Sequence, residues 1–236
     1  MADASRPPAR SAAVDPADPW RGRRRRRDHG SKRDAVIRTA ARAFDEHGYH
    51  NTSLDDIAAA LGVTKPTVYY YVSNKEQLLF ECFRAGLEPI RTALRRAEAT
   101  AGTGRDRLRE VIRDYAVAIA SEYGWCMVRA EHQDLGRDLS AEVRALKSEI
   151  DRGIRRLLQA GIADGSIAVQ DPKLAAFAIA GALNWIAHWY RAGRSLSSEQ
   201  VAEAFVQFLE HGLAPRPVLA APAPRSKTSR KGAASV

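Results

Sequence analysis

The chain has 236 residues, of which 45% are hydrophobic, so it can bury a sizeable core and cannot be wholly disordered. No apolar stretch reaches the roughly 18 residues of a membrane-spanning helix, the N-terminus offers no apolar secretory signal, and two cysteines are too few for a disulfide framework, so we expect a cytoplasmic protein. The net charge is +9, but the basic excess lies in the first 33 and the last 25 residues, which excludes a globule coated evenly with positive charge.

Both ends of the chain are predicted to be basic and disordered. Residues 1–30 are rich in Pro, Ala, Arg and Asp and have no apolar period, and residues 213–236 repeat Ala, Pro, Lys and Arg. The first segment ends in a run of arginines, of which Arg25 and Arg26 are the candidates for DNA contact. This arm either is a solvated tail that attracts phosphates or reaches into an adjacent minor groove.

Between these ends, nearly every segment has apolar residues at helical spacing, and no segment alternates convincingly with period two. A first stripe runs from Ile37 to Phe44 and is ended by Gly48. Further stripes follow in chain order at residues 54–61, 73–83, 108–119 and 143–158. The sequence therefore predicts an all-α fold.

Two more helices are announced by their capping residues. The pair Asp171 and Pro172 supplies an N-cap and a proline at the first helical position, and the predicted helix runs toward Gly193. Ser197 and Gln200 stand at capping-box spacing and open the last helix, which is predicted to end near residue 212.

Residues 52–75 carry the pattern that indicates a function. Ser53 and Asp56 stand at capping-box spacing at the start of one helix, and Gly62 permits the left-handed conformation that a tight exit requires. Thr64 can cap a second helix directly afterwards. A helix, a short glycine-containing turn and a helix form a helix-turn-helix unit, whose second helix reads bases in the major groove of DNA.

Side chains at the start of that second helix are the candidates for base contacts. Lys65 can reach guanine, and Thr67 can meet a thymine methyl group or a phosphate. Tyrosine hydroxyls and Lys75, at the start of the next helix, are placed for phosphates. The alternative is that the three adjacent tyrosines, residues 69–71, are the core of a helical bundle with no DNA contact.

The string LDDIAAALGVTKPTVYYYVSNKEQLL closely resembles the N-terminal signature of the TetR family of transcriptional regulators, and the preceding FDEHGYHNTS resembles the exit from the family's first helix. The match covers roughly residues 32–80. It departs from the family pattern at Val72, where Phe is usual, and at Tyr70, where His is frequent, so the operator sequence cannot be copied from relatives. By this resemblance, the residues that contact DNA are Thr52, Ser53, Lys65, Thr67, Tyr69, Tyr70 and Lys75.

The resemblance also implies an organisation and a mode of action. A three-helix helix-turn-helix domain would occupy residues 31–77, and a helical ligand-binding and dimerisation domain residues 78–212. The last two helices, here about 172–192 and 198–211, would form the homodimer. Such a protein represses transcription from a near-palindromic double-stranded DNA operator and is released by a small-molecule effector. An architectural DNA-binding protein without an effector is the alternative.

Aromatic residues of the C-terminal half are the candidates for effector binding. Trp185 and Trp189 share one helical face, which either belongs to the core or dimer interface or lines a ligand cavity that Trp125 and Arg129 could complete. Residues 183–205 are similar to a subgroup that senses acyl-CoA thioesters, with Arg129 as the partner of the anionic CoA portion. A planar aromatic or cationic effector is the rival. Because no nucleophile with its base, metal-ligand spacing or phosphate loop is visible, we expect neither catalysis nor a cofactor.

Overall fold

The computed structural model describes residues 28–130 and 134–213, and within these two ranges the chain forms helices without a β-strand. The predicted all-α fold is confirmed. Arg25 and Arg26, with the rest of the predicted arm before residue 28, lie outside the described residues, as does everything after residue 213. The helices are α1 Asp28–His47, α2 Leu54–Leu61, α3 Lys65–Tyr69, α4 Lys75–Ala99, α5 Gly104–Ile119, α6 Gly124–Val128, α7 Arg137–Ala163, α8 Pro172–Asn184, α9 Ile186–Trp189 and α10 Ser198–Leu213.

Three boundaries differ from the sequence prediction. α1 begins at Asp28, inside the segment that was expected to be disordered. Leu213, expected to open the C-terminal tail, is the buried last residue of α10, and its carbonyl oxygen accepts a hydrogen bond of 2.9 Å from the N–H of Ala168. The helix that starts at Pro172 ends at Asn184 and is followed by the one-turn α9.

The N-terminal core lies where α1, α2 and α3 pack against the first turns of α4. Phe44, Ile57, Val68 and Leu78 are fully buried there. Val72, which stands where the resemblance expects Phe, is also buried in this core. Its other main members are Val36, Ile37, Ala40, Leu54, Leu79, Cys82, Phe83, Cys126, Leu135 and Val143.

The C-terminal core joins the second half of α4 to α5, α7, α8 and α10. At its end, α5 and α7 touch backbone to backbone, because Gly104 has no Cβ to hold Gly161 away. The main buried members of this core are Leu87, Ile90, Leu94, Leu108, Ile112, Ile150, Ile154, Leu158, Ile179, Leu183 and Val206.

Two long helices belong to both cores. α4 contributes Leu78 and Phe83 to the N-terminal core and Ile90 to the C-terminal core. α7 does the same with Val143 in the first core and Ile154 in the second. A displacement of either helix at one core is therefore felt at the other.

Large apolar side chains are exposed along the outer surface of α8, α9 and α10. We call this set the apolar face: Leu174, Phe177, Trp185, Trp189 and Phe208. Phe208 is 75% exposed and Leu174 is 63% exposed, which is unusual for side chains that gain free energy on leaving water. None of the helices in the described ranges combines the length and apolar character needed to cross a membrane.

Candidate DNA interface and effector cavity

The turn between α2 and α3 has the predicted geometry. The Ser53 hydroxyl accepts a hydrogen bond from the N–H of Asp56, and the Asp56 carboxylate accepts one of 2.8 Å from the N–H of Ser53, which completes the capping box. The Ser53 hydroxyl also donates to the Asp56 carboxylate at 2.7 Å, and this bond, followed by the backbone bond, lowers the pKa of Asp56. Gly62 ends α2 with a φ of 66°, in the left-handed region. Thr64 precedes α3, but its hydroxyl bonds that of Thr67 at 2.9 Å and caps no backbone N–H.

The exposed surface of α3 carries tyrosines. Only Val68 of this helix is buried, and it holds α3 to the N-terminal core. Tyr69 is 46% exposed, and Tyr70, which follows the helix, is 71% exposed. Tyr69 and Tyr70 are thus exposed to solvent, as contact with DNA would require, and this disfavours the interpretation in which all three tyrosines are core.

Lys65 is held by a carboxylate in the DNA-free protein. Its Nζ lies 2.8 Å from Oδ2 of Asp55 on α2, and this bond raises the pKa of the exposed Lys65 ammonium. The ammonium of Lys65 is therefore paired with a carboxylate of the preceding helix.

Five of the predicted DNA-binding residues border one concave surface, the α2–α3 groove, of about 380 Å³. They are Thr52, Ser53, Lys65, Tyr69 and Lys75. The ammonium of Lys75 lies 4.2 Å above the ring of Tyr49. The groove thus places two cations and several hydroxyl groups on one outer surface, as contact with a phosphate backbone requires.

Thr52 is the exception among the predicted contacts. It is 3% exposed, and its hydroxyl donates to the carbonyl oxygens of Gly48 at 2.9 Å and Ala43 at 3.2 Å. Ala43 lies in the last turns of α1, and Gly48 directly follows the helix. The side chain of Thr52 therefore stabilises the turn between α1 and α2 and is not available to a phosphate.

Two polar contacts tie this DNA-facing unit to the start of α7. The N–H of Gly136 donates a 2.6 Å hydrogen bond to Oε1 of Glu76 in the first turn of α4. His50, beside the α2–α3 groove, lies with Nε2 2.9 Å from Oδ1 of Asp134. The N-terminal end of α7 is therefore fixed to the elements that position α3.

A cavity of about 220 Å³ lies inside the C-terminal core, between α4, α5, α7 and α8. Most of its wall is apolar. The lining residues are Leu87, Tyr115, Ile119, Met127, Lys147, Ile150, Asp151, Ile154, Ala176, Phe177, Ala180 and Asn184.

The polar groups of the cavity differ in what they bond. The Tyr115 hydroxyl donates to Oδ1 of Asn184 at 3.1 Å, and burial raises the pKa of Tyr115 to about 12. Asp151 forms an ion pair with Arg155, one turn further along α7, at 2.6 Å. Burial lowers the pKa of Lys147 to about 8. The cavity thus combines an apolar volume with a small set of convergent polar groups, as small-molecule sites do.

None of the four residues predicted to bind the effector is among those that line this cavity. Trp185 and Trp189 belong to the exposed apolar face, and the ring of Trp185 stacks on His188 at 4.6 Å. Arg129 is exposed at the end of α6. Trp125 packs against Phe44 of the N-terminal core, with ring centroids 6.5 Å apart.

The helical phase of α8 explains the displaced tryptophans. Ala176, Ala180 and Asn184, each four residues apart, face the cavity. Trp185 is one position further and is therefore rotated by about 100° toward the outside. Both tryptophans follow α8, which ends at Asn184, and they lie on the exposed apolar face instead of the cavity wall.

Sequence reasoning missed Lys147, although a signal for it exists. Val143, Ile150 and Ile154 form the buried stripe of α7, and Lys147 stands four residues after the first and three before the second. A lysine inside such a stripe is unusual because burying its charge is costly.

The fold and site define a class first: a short exposed helix after a glycine turn, carried by a three-helix core, is a helix-turn-helix DNA-binding unit. Residues 36–82 match the family model described as bacterial regulatory proteins of the tetR family, and residues 101–213 match a tetracyclin repressor-like C-terminal domain. Together the two matches cover about two thirds of the chain. The chain belongs to the TetR family of transcriptional regulators.

Individual relatives agree with this assignment. The chain is 28% identical over 205 residues to the HTH-type transcriptional repressor KstR2 of Rhodococcus jostii, which covers 84% of this chain and 96% of that protein. It is 24% identical over 199 residues to the HTH-type transcriptional activator FasR of Mycolicibacterium smegmatis, covering 84% of this chain and 89% of FasR. A crystal structure of AibR in complex with isovaleryl coenzyme A and operator DNA superposes with a TM-score of 0.64 at 29% identity, covering 75% of this chain and 97% of AibR.

Proposed function

We propose that this protein is a homodimeric repressor that binds a near-palindromic operator through α3 and is released when an acyl-CoA thioester places its acyl group in the cavity between α4, α5, α7 and α8. The observation that carries the proposal is that α4 and α7, which wall this cavity, also belong to the N-terminal core that supports α3. A ligand that favours a different spacing of these helices favours a different position of α3.

The exposed apolar face supports the dimer. Leu174 and Trp185 on the α8 side and Phe208 on α10 are more than half exposed, and a second copy packed on the same face would remove them from water. A twofold axis through this face would present two copies of α3 to DNA, so the operator would have two half-sites related by symmetry.

The size of the cavity supports an acyl group as the buried part of the effector. A volume of about 220 Å³ is smaller than the roughly 300–1,000 Å³ of pockets that enclose drug-sized ligands. A short acyl chain fits this space, whereas a complete CoA thioester does not, so the nucleotide portion would lie outside the cavity. The solved structure of AibR with isovaleryl coenzyme A and operator DNA agrees in chemistry.

We also propose binding without catalysis for this cavity. Its tyrosine hydroxyl is hydrogen-bonded to Asn184, and its carboxylate is paired with Arg155. Neither group is arranged as a base beside a nucleophile, which covalent catalysis would require.

The proposal is tested by selecting DNA sequences from a random library with the full chain, then measuring release of the selected DNA by acetyl-, butyryl-, isovaleryl- and hexanoyl-CoA. We expect a near-palindrome, two chains per DNA in sedimentation, and release by at least one thioester. If the protein is a monomer and selects no DNA sequence, the proposed function as a transcriptional regulator is refuted. Sequence-selective binding that no compound relieves would favour the architectural protein, and release by a planar aromatic compound alone would replace the effector class.

A further inference from the structure

The charge of Lys147 is poorly compensated in the cavity wall. No carboxylate in the described ranges forms an ion pair with it, and its Nζ lies 5.2 Å from the centre of the Phe83 ring. Burial is the cause of its lowered pKa. Lys147 is half-buried, and an ammonium partly removed from water without gaining an anion keeps hydrogen-bond donors that a ligand can use.

Two other polar groups of the cavity wall are already bonded to protein partners, so Lys147 is the charged group available to a ligand. Asp151 already pairs with Arg155, and Tyr115 already donates to Asn184. Asn184 uses its carbonyl oxygen in that bond, so its amide nitrogen remains a donor. A ligand therefore meets hydrogen-bond donors in an apolar wall, which favours an effector that offers an oxygen acceptor at one end of an apolar group.

We infer that Lys147 recognises the effector by donating a hydrogen bond to the carboxyl-derived oxygen of its acyl group, which is the carbonyl oxygen of a thioester or the carboxylate of a free acid. The acyl chain then lies against the apolar wall that includes Leu87, Ile150 and Ile154. This inference rests on the proposed function and deepens it, because it names the residue that selects the ligand.

The same ammonium connects the cavity to the DNA-binding half. Phe83 belongs to α4 and is fully buried in the N-terminal core, on the helix that begins beside α3. When Lys147 turns toward a ligand oxygen, its cation leaves the Phe83 ring, and a contact between α7 and α4 is lost. Effector recognition and the change in α4 thus share one side chain.

The first test compares Lys147→Met with Lys173→Met by calorimetry, using the four CoA thioesters named above, the matching free acids, and CoA alone. Lys173 is a matched control because it is an exposed lysine of α8 that does not line the cavity, with its Nζ 5.9 Å from the centre of the Phe177 ring. We expect Lys147→Met to weaken the best acyl ligand by roughly ten- to hundredfold, the loss of a charge-assisted hydrogen bond. Lys173→Met should change affinity by less than about twofold.

The second test uses the unmodified protein, so it does not depend on how the variant folds. At pH 8 about half of the Lys147 side chains are neutral, and a bound oxygen acceptor selects the protonated form. Calorimetry in two buffers of different ionisation enthalpy should therefore report uptake of about half a proton per ligand. The other titratable residues of the cavity wall are Tyr115, which stays protonated at pH 8 because its pKa is about 12, and Asp151, a carboxylate held by Arg155.

The outcomes distinguish a failure of the role assigned to Lys147 from a failure of the proposed effector class. Equal affinity of the wild type and Lys147→Met, or no proton uptake at any pH from about 7 to 10, would overturn the role of Lys147 and leave an acyl-responsive repressor in place. No binding of any thioester or acid by the wild type would overturn the effector class and the role of Lys147 together. Preference for acids over thioesters would identify the free carboxylate as the source of the recognised oxygen.

Discussion

Replacing Lys147 by Met should stabilise the effector-free protein at neutral pH, although it removes a residue that we assign to ligand binding. Met has a similar length and an adaptable thioether, so it fills the same space without a buried charge. The pKa of Lys147 falls from 10.5 to about 8 on folding, and each unit of difference is worth about 1.4 kcal/mol. The free energy of unfolding should therefore rise by at most about 3 kcal/mol in Lys147→Met. The gain is smaller to the extent that water in the cavity screens the Lys147 charge.

The free energy of unfolding should depend on pH in a direction that follows from the lowered pKa of Lys147. Below pH 8 the folded and unfolded chains both hold the Lys147 proton, so the residue adds no slope to the free energy of unfolding. Between about pH 8 and 10 the unfolded chain holds more of the Lys147 proton than the folded chain, so the contribution of Lys147 to the free energy of unfolding should rise with pH. Burial raises the pKa of the Cys82 thiol and of the Tyr115 hydroxyl, so both oppose this trend, Cys82 from about pH 9 and Tyr115 from about pH 10. Both groups are present in every variant and cancel in the difference between wild type and Lys147→Met.

The measurement is the Tm of the wild type, Lys147→Met and Lys173→Met from about pH 7 to pH 10 at one protein concentration. For a chain of this size, about 3 kcal/mol corresponds to roughly 6–12 °C near Tm. We expect Lys147→Met to melt higher at pH 7 and the difference from the wild type to shrink toward pH 10. Parallel Tm curves for all three proteins would show that the Lys147 ammonium is adequately solvated and would refute the reasoning.

Other contacts give three further predictions. Lys65→Ala should lower affinity for the selected operator by about 1–3 kcal/mol and relax its sequence preference, whereas Lys75→Ala should weaken all DNA alike and flatten the salt dependence; unchanged preference in Lys65→Ala would refute base reading. Phe208→Asp should shift sedimentation toward the monomer without loss of helix content, and a persistent dimer would place the interface elsewhere. Gly104→Ala should destabilise the fold by about 1–3 kcal/mol, since the new Cβ overlaps the backbone of Gly161, and an unchanged Tm would contradict that close approach.

Local signals in the sequence predicted what local bonds determine. The capping box of Ser53 and Asp56 and the left-handed Gly62 depend on residues within a few positions, and all three formed as expected. The burial of Thr52 was missed because its hydroxyl donates to Ala43 in the preceding helix and to Gly48, which directly follows that helix. A pattern that specifies the start of α2 does not reveal how α1 ends.

The cavity was less predictable because it depends on helical phase and on packing between distant helices. The tryptophans at 185 and 189 drew attention by their size, yet the face that lines the cavity carries Ala176, Ala180 and Asn184. Small residues leave the space that a ligand needs, and a pattern of large apolar residues does not register them. The only signal for Lys147 in the sequence was its position as a charged residue within the apolar stripe of α7.

The sharing of α4 and α7 between the two cores has a consequence for how the molecule unfolds. Leu78 and Ile90 lie on one continuous helix, α4. Unfolding of the N-terminal core therefore disrupts a helix that also stabilises the C-terminal core. Hydrogen exchange should then report one cooperative unit across most of both cores, and calorimetry a single transition. A hybrid that takes its DNA-reading half from a relative would need to inherit the matching faces of both helices, since a cut after residue 77 would leave that half without Phe83 and Val143.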